Sequence, residues 1–248
     1  LAFHPLVNLA SGAISGFEAL ARWDHEERGP ISPTEFIPVA EESGLIVALG
    51  RWALDCAVET MRKWDDSAGR RLPVSVSVNL SAIQLARDDV ADMVGSALNR
   101  HGIGGERLTI ELTESGIVQD PQRAMKVLED MKALNARIAM DDFGTGYTSL
   151  ANLQRLPIDI LKIDRSFVTN MLADSDSTAI VRAILSLASA LGMETIAEGV
   201  ESQALARALR ELGCSHGQGF LFSLPLDPQA ALEHWLAREP QPDAQDRA

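Results

Sequence analysis

Ala2-Phe3-His4-Pro5-Leu6-Val7-Asn8-Leu9-Ala10-Ser11-Gly12-Ala13-Ile14-Ser15-Gly16-Phe17-Glu18-Ala19-Leu20-Ala21-Arg22 holds two strand-like runs, 2–7 and 14–22, with only residues 8–13 between them. A crossover between parallel strands needs about a dozen residues or more. These two strands are therefore predicted to pair as an antiparallel hairpin, turning near Ser11-Gly12. Further strand-like runs follow at 74–79, 107–113, 137–142, 158–164, 194–198 and 218–222.

Amphipathic stretches with helix signals lie between most of these runs. Asp120-Pro121 reads as an N-cap and first-turn proline before Ala124, Val127, Leu128, Met131 and Leu134. Another helix starts at Ser202, with Leu205, Ala208, Leu209 and Leu212 inward and Gly213 at its end. A third carries Ile180, Ile184, Leu187 and Leu191 and stops at Gly192. Eight strands alternating with helices predict an α/β fold, a TIM-like (β/α)8 barrel. The hairpin makes one of its strands antiparallel. Residues 1–237 are expected to form the barrel, and the polar, proline-containing 238–248 a disordered tail.

Strand alternation assigns faces. The valines of 74–79 suit packing against helices, so Ser75, Ser77 and Asn79 are expected inside the barrel. By the same rule Leu108, Ile110 and Leu112 face helices while Glu111 faces inward with Thr109 and Thr113. Glu18, Leu20 and Arg22 share one face.

Polar residues recur at the ends of these apolar runs. Glu18 closes 14–17, Asn79 closes 74–78, Asp141 and Asp142 close 137–140, and Glu198 closes 195–197. Glu111 and Lys162 lie inside their runs, and Gln218 opens the last one. Carboxylates at buried strand ends cost several kcal/mol (roughly) unless something compensates them. Repeated around a barrel, they point to a site at its C-terminal rim. Taken singly, Glu18 or Glu111 reads as a salt-bridged acid, Lys162 as its ion-pair partner, and Asn79 as a helix cap. Their coincidence at strand ends favours a metal site. Oxygen donors suit hard cations such as Mg²⁺ or Mn²⁺. The five histidines are scattered, without the paired spacing of a zinc hydrolase. Two adjacent aspartates suit a pair of bridged metals, an arrangement that serves in-line displacement at phosphorus.

With 248 residues, 46% hydrophobic and 23% charged, the chain describes a globular protein. A net charge of −13 argues against duplex nucleic acid and anionic membrane surfaces as partners. No apolar stretch approaches the roughly 20 residues of a membrane span. Cys56 and Cys214 are far apart and read as buried, reduced thiols. Leu1 already lies in a strand-like run, so the chain is expected to be a segment of a longer protein.

The ordered motifs resemble the EAL domain family, whose members hydrolyse cyclic di-GMP. The resemblance rests on Glu18-Ala19-Leu20 within 16–23, Val78-Asn79-Leu80-Ser81, Glu111-Leu112-Thr113-Glu114, Asp141-Asp142-Phe143-Gly144-Thr145-Gly146-Tyr147, Leu161-Lys162-Ile163-Asp164, Ala197-Glu198-Gly199-Val200-Glu201 and Gln218-Gly219-Phe220. It runs from about Phe3 to Pro225. It implies a first metal on Glu18, Asn79, Glu111 and Asp141, and a second served by Asp141, Asp142 and Glu198, as Mg²⁺ or Mn²⁺. Glu18, Lys162 and Glu198 would be catalytic, with Lys162 holding or activating the water. Arg22 and Gln218 would contact the phosphate and guanine portions of the substrate. Glu114 would brace the 141–150 loop, which in the family often lies near a dimer interface. The implied reaction converts cyclic di-GMP to linear pGpG by in-line attack of a metal-activated water. A homodimer, a cytoplasmic location and further domains in the full-length protein are expected with it.

Departures from the family pattern are few. His4 stands where glutamine is usual, Thr148 where serine is frequent, and Ala21 where leucine is frequent. A binding module that senses cyclic di-GMP without turnover is the alternative reading, against which the intact acids count. Fold analogy alone also admits Mg²⁺-assisted proton abstraction or a Schiff base on Lys162.

Overall fold

A computed structural model of the protein describes residues 1–87, 89–114, 121–145 and 153–239. The N-terminal hairpin forms first in the chain, β1 (Ala2–Asn8) and β2 (Ile14–Leu20), followed by the small pair β3 (Trp23–His25) and β4 (Gly29–Ile31). Helices α1 (Pro33–Ser43) and α2 (Ile46–Ala68) lead to β5 (Ser75–Leu80). Then come α3 (Ala82–Leu85), α4 (Val90–His101), β6 (Leu108–Thr113), α5 (Pro121–Ala133) and β7 (Arg137–Phe143). The chain continues through β8 (Ile160–Ile163), α6 (Arg165–Asn170), α7 (Ser175–Leu191) and β9 (Glu194–Ala197). It ends with α8 (Gln203–Glu211), β10 (His216–Gly217) and α9 (Pro228–Leu236).

Eight of these strands close a barrel in the order β1-β10-β9-β8-β7-β6-β5-β2. Strand β1 runs antiparallel to both neighbours, and the remaining pairs are parallel. The predicted barrel with one reversed strand is what forms. Its turn lies at Ser11-Gly12, where Gly12 takes φ 74° and the Asn8 side chain accepts from the backbone of Ala10 and Ser11. Register places His4 opposite Glu18.

Alternation along the strands builds two cores. Val76, Val78, Leu108, Ile110 and Leu112 pack outward into the large cluster beneath the helices. Inside the barrel Leu6, Ala139, Ile160 and Ile196 form a separate apolar plug. Two residues beyond three of these positions stand Asp141, Lys162 and Glu198, so the polar layer sits directly on the plug.

Helix α2 seals the hairpin side. Trp64 packs on Phe3 and Phe17 with ring centroids 5.1 and 5.4 Å away, and its indole N–H donates to Pro228 O at 2.8 Å. Caps start the helices where side-chain oxygens accept from free N–H groups: Asp174 for α7, Ser202 for α8 and Asp227 for α9.

Three expectations need correction. The run 218–222 is not a strand; pairing stops at Gly217, and Phe222 N turns back to Gly219 O at 3.0 Å. On α7 the buried stripe is Val181, Ile184, Leu185 and Ala188, leaving Ile180 exposed, because the helix meets the barrel rotated from the periodicity read in sequence. Cys214 is buried but Cys56 only partly so; both are free. The Asp120 cap, Gly146, Tyr147, Thr148 and residues 240–248 lie outside the described residues.

Candidate active site

Lys162 is the centre of the polar layer. Its side chain is 1% exposed, held at the inward-facing position two residues after Ile160. The ammonium lies 2.6 Å from Glu111 Oε2, 2.7 Å from Glu198 Oε1, 3.0 Å from Asp141 Oδ1 and 3.6 Å from Glu18 Oε2. Burial alone would lower its pKa, yet Glu111, Glu18, Glu198 and Asp141 together hold it well above the ordinary lysine value.

The four acids respond differently. Burial pushes Glu111 well above the carboxyl range, with Glu18 and Asp141 adding repulsion that Lys162 only partly offsets. Burial likewise raises Glu198 to about 7. Burial also acts on Glu18, but there Lys162 and two amide donors prevail and its pKa falls. Those donors are Asn79 Nδ2, 2.7 Å from Oε1, and Gln218 Nε2, 3.0 Å from Oε2.

One ammonium does not balance this many carboxylates, and Glu111 Oε1 is buried with no hydrogen-bond partner among the described residues. Asp141, Asp142 and Glu198 also offer oxygens that lie within 4.8 Å of one another. An all-oxygen donor set with a negative excess and an unsatisfied buried oxygen fits a hard divalent cation. Asp142 itself sits in the left-handed region at φ 54°, a conformation that costs a side chain about 1–3 kcal/mol and clusters at functional sites. Burial, Asp141 and Asp164 raise its pKa.

The structure thus gathers Glu18, Asn79, Glu111, Asp141, Asp142, Lys162, Glu198 and Gln218. Arg22 stays apart: its guanidinium donates to Ala21 O at 2.9 Å, beside a cavity of about 280 Å³ that Asn79, Glu41 and Gln84 also line. Glu114 is buried just after β6, while most of the loop it was expected to brace lies outside the described residues. Asp164, given no role in the sequence reading, bonds the Asp142 carboxyl and caps α6 through Ser166 N at 3.0 Å. The period-2 step from Lys162 to Asp164 was the available signal.

The EAL domain family model matches residues 1–225. The chain belongs to the EAL domain family. Among relatives of this EAL chain is the bifunctional diguanylate cyclase/cyclic di-GMP phosphodiesterase MucR of Pseudomonas aeruginosa, 43% identical over 94% of the chain and 34% of the relative. Another is the cyclic di-GMP phosphodiesterase PdeR of Escherichia coli, 41% identical over 92% of the chain and 34% of the relative. A solved structure of the PaMucR phosphodiesterase in complex with c-di-GMP superposes with a TM-score of 0.89 at 43% identity, covering 93% of each chain. The EAL chain spans about a third of the length of the curated relatives it matches. No helix among the described residues is long and apolar enough to cross a membrane.

Proposed function

We propose that this EAL domain hydrolyses cyclic di-GMP to linear pGpG. The observation that carries the reading is the over-acidic cage around Lys162, with Glu111 Oε1 left unsatisfied. Glu18, Asn79, Glu111 and Asp141 would hold one divalent cation, and Asp141, Asp142 and Glu198 a second, Mg²⁺ or Mn²⁺. Bound there, such cations supply positive charge for the phosphoryl oxygens and lower the pKa of the attacking water.

The chain's own groups divide the remaining work. Lys162 keeps its proton, so it orients the water rather than accepting from it. Glu198, raised to about 7, is suited to take the water's proton near neutral pH. Water attacks phosphorus opposite the 3′ oxygen, which leaves and gains a proton. Gln218 and Asn79 hold Glu18 in place, and Arg22 at the rim binds a phosphate. Family membership is what supports a homodimeric, cytoplasmic domain, and the lengths of the relatives support further domains beside it.

The test is direct. Purified protein is incubated with cyclic di-GMP and Mg²⁺ or Mn²⁺, and the linear dinucleotide is followed by chromatography. Product that vanishes with chelator and in Glu18→Ala is expected. Intact substrate across a wide range of protein concentration would refute hydrolysis and leave a receptor.

A further inference from the structure

At the site's mouth, the segment after β10 splits in two. Gln218 turns inward, 3% exposed and bonded to Glu18, while Phe220 turns outward, 63% exposed. Leu221 and Phe222, its neighbours in the same apolar run, pack against the core instead. Gly219 enforces the split. A Cβ there would lie 2.3 Å from Val200 O, so only glycine lets this turn approach Val200. Val200 N donates to Gln218 O at 3.0 Å and Leu221 N to Val200 O at 3.1 Å, which fixes the turn on both sides of Phe220.

The exposed ring also has a neighbour. His4 lies across the β1–β2 register from Glu18, and its ring centroid is 6.3 Å from that of Phe220 at 47°. His4 Nε2 donates to Ser223 O at 3.2 Å, so the imidazole is tied to the same turn. Glu18, Lys162 and Arg22 all lie close enough to His4 to act on it electrostatically. A rigid, outward-facing aromatic face thus stands beside the acidic cage and on the phosphate-binding side of its mouth.

We infer that Phe220, backed by His4, is the platform on which one guanine of the cyclic dinucleotide stacks. This rests on the proposed hydrolysis of cyclic di-GMP, and adds a specificity residue to it. A base stacked here would leave the phosphodiester over Lys162 and its acids. Stacking on an aromatic side chain needs only the π-face of the base, so the ring requires no polar partner of its own.

Phe220 is exposed, so replacing it leaves the core intact and the test clean. Steady-state kinetics with cyclic di-GMP and Mg²⁺ are compared for wild type, Phe220→Ala, Phe220→Leu and Phe220→Trp, alongside Kd from equilibrium dialysis of cyclic di-GMP. Phe220→Ala is expected to raise KM and Kd by about 5- to 150-fold with kcat little changed. Phe220→Trp should bind like wild type, whereas Phe220→Leu, which keeps apolar bulk without a π-face, should bind like Phe220→Ala. Equal Kd for wild type and Phe220→Ala, or rescue by leucine as well as by tryptophan, overturns the stacking role. A wild type that binds without turnover overturns only the hydrolysis, and the dialysis comparison still decides the role of Phe220. A wild type that does not bind overturns both.

Discussion

Replacing Lys162 with methionine removes the one cation from the polar layer while keeping most of its buried stem. Glu18, Glu111, Asp141 and Glu198 would then face one another with only the Asn79 and Gln218 amides between them and open charge. Removing one partner of a buried ion pair typically costs about 3–5 kcal/mol, because the other charge is stranded. For a domain of this size each kcal/mol moves Tm by about 2–4 °C, so a loss of about 6–20 °C is expected without metal. The loss should depend on pH. Glu111 and Glu198 already hold their protons more tightly than ordinary carboxyls, and near pH 5 both would be protonated with little penalty. Thermal unfolding followed by circular dichroism, in chelator, at about pH 5 and about pH 7.5, reads both effects. Mg²⁺ added at the higher pH should recover part of the loss, since the same acids are the expected ligands. A Tm loss identical at both pH values would refute the account, as would no loss at all.

Other perturbations separate site from scaffold. Glu18→Ala should lower turnover by at least about a hundredfold, since even residues that only orient a metal ligand are worth about 10- to 100-fold; near-normal turnover would sink the metal assignment. In chelator, wild-type stability should fall as pH rises from about 4.5 to about 7, the window in which folded Glu198 retains a proton that the unfolded chain releases. The effect is about 3 kcal/mol at most and is read by urea midpoints across pH. Glu18 works oppositely, adding stability above the ordinary carboxyl range that is lost only as pH falls through its depressed pKa. Arg107→Ala, far from the rim, breaks a buried pair with Asp65 (2.6 Å) and a bond to Val74 O (3.0 Å). It should cost about 3–5 kcal/mol in urea unfolding yet leave turnover at room temperature unchanged.

Much of this was legible because strand alternation is strict. A two-residue period fixes that Asp141, Lys162 and Glu198 share the face of Ala139, Ile160 and Ile196, whatever the rest of the chain does. The short link between β1 and β2 fixed the reversed strand by reach alone. What escaped depends on contacts distant in sequence. Nothing local shows that β10 stops after Gly217, since that follows from Gly219 seating against Val200. The apolar run 219–222 looks like a strand, yet its residues go to different places. The period of α7 gave a helix but not its rotation, which the barrel surface decides. The left-handed backbone of Asp142 and its bond to Asp164 likewise have no one-dimensional signature.

The layering of the barrel interior explains why this scaffold tolerates so costly a cluster. Leu6, Ala139, Ile160 and Ile196 close the barrel below the acids, so water reaches the site only from the rim. That same plug removes solvent from Glu111 and Lys162 and makes every charge there count for more. Ionised together and unassisted, the acids would oppose folding. Part of the offset comes from Lys162, part from the amides on Glu18, and part from protons retained by Glu111 and Glu198. Each of these is a partial remedy, and Glu111 Oε1 receives none of them. The stabilising contacts lie elsewhere, in the Trp64 clamp on the hairpin and the Arg107–Asp65 pair. A site left electrostatically incomplete on a rigid frame is what a hard cation is able to complete, and substrate phosphate arriving at the rim would meet charge already held in place.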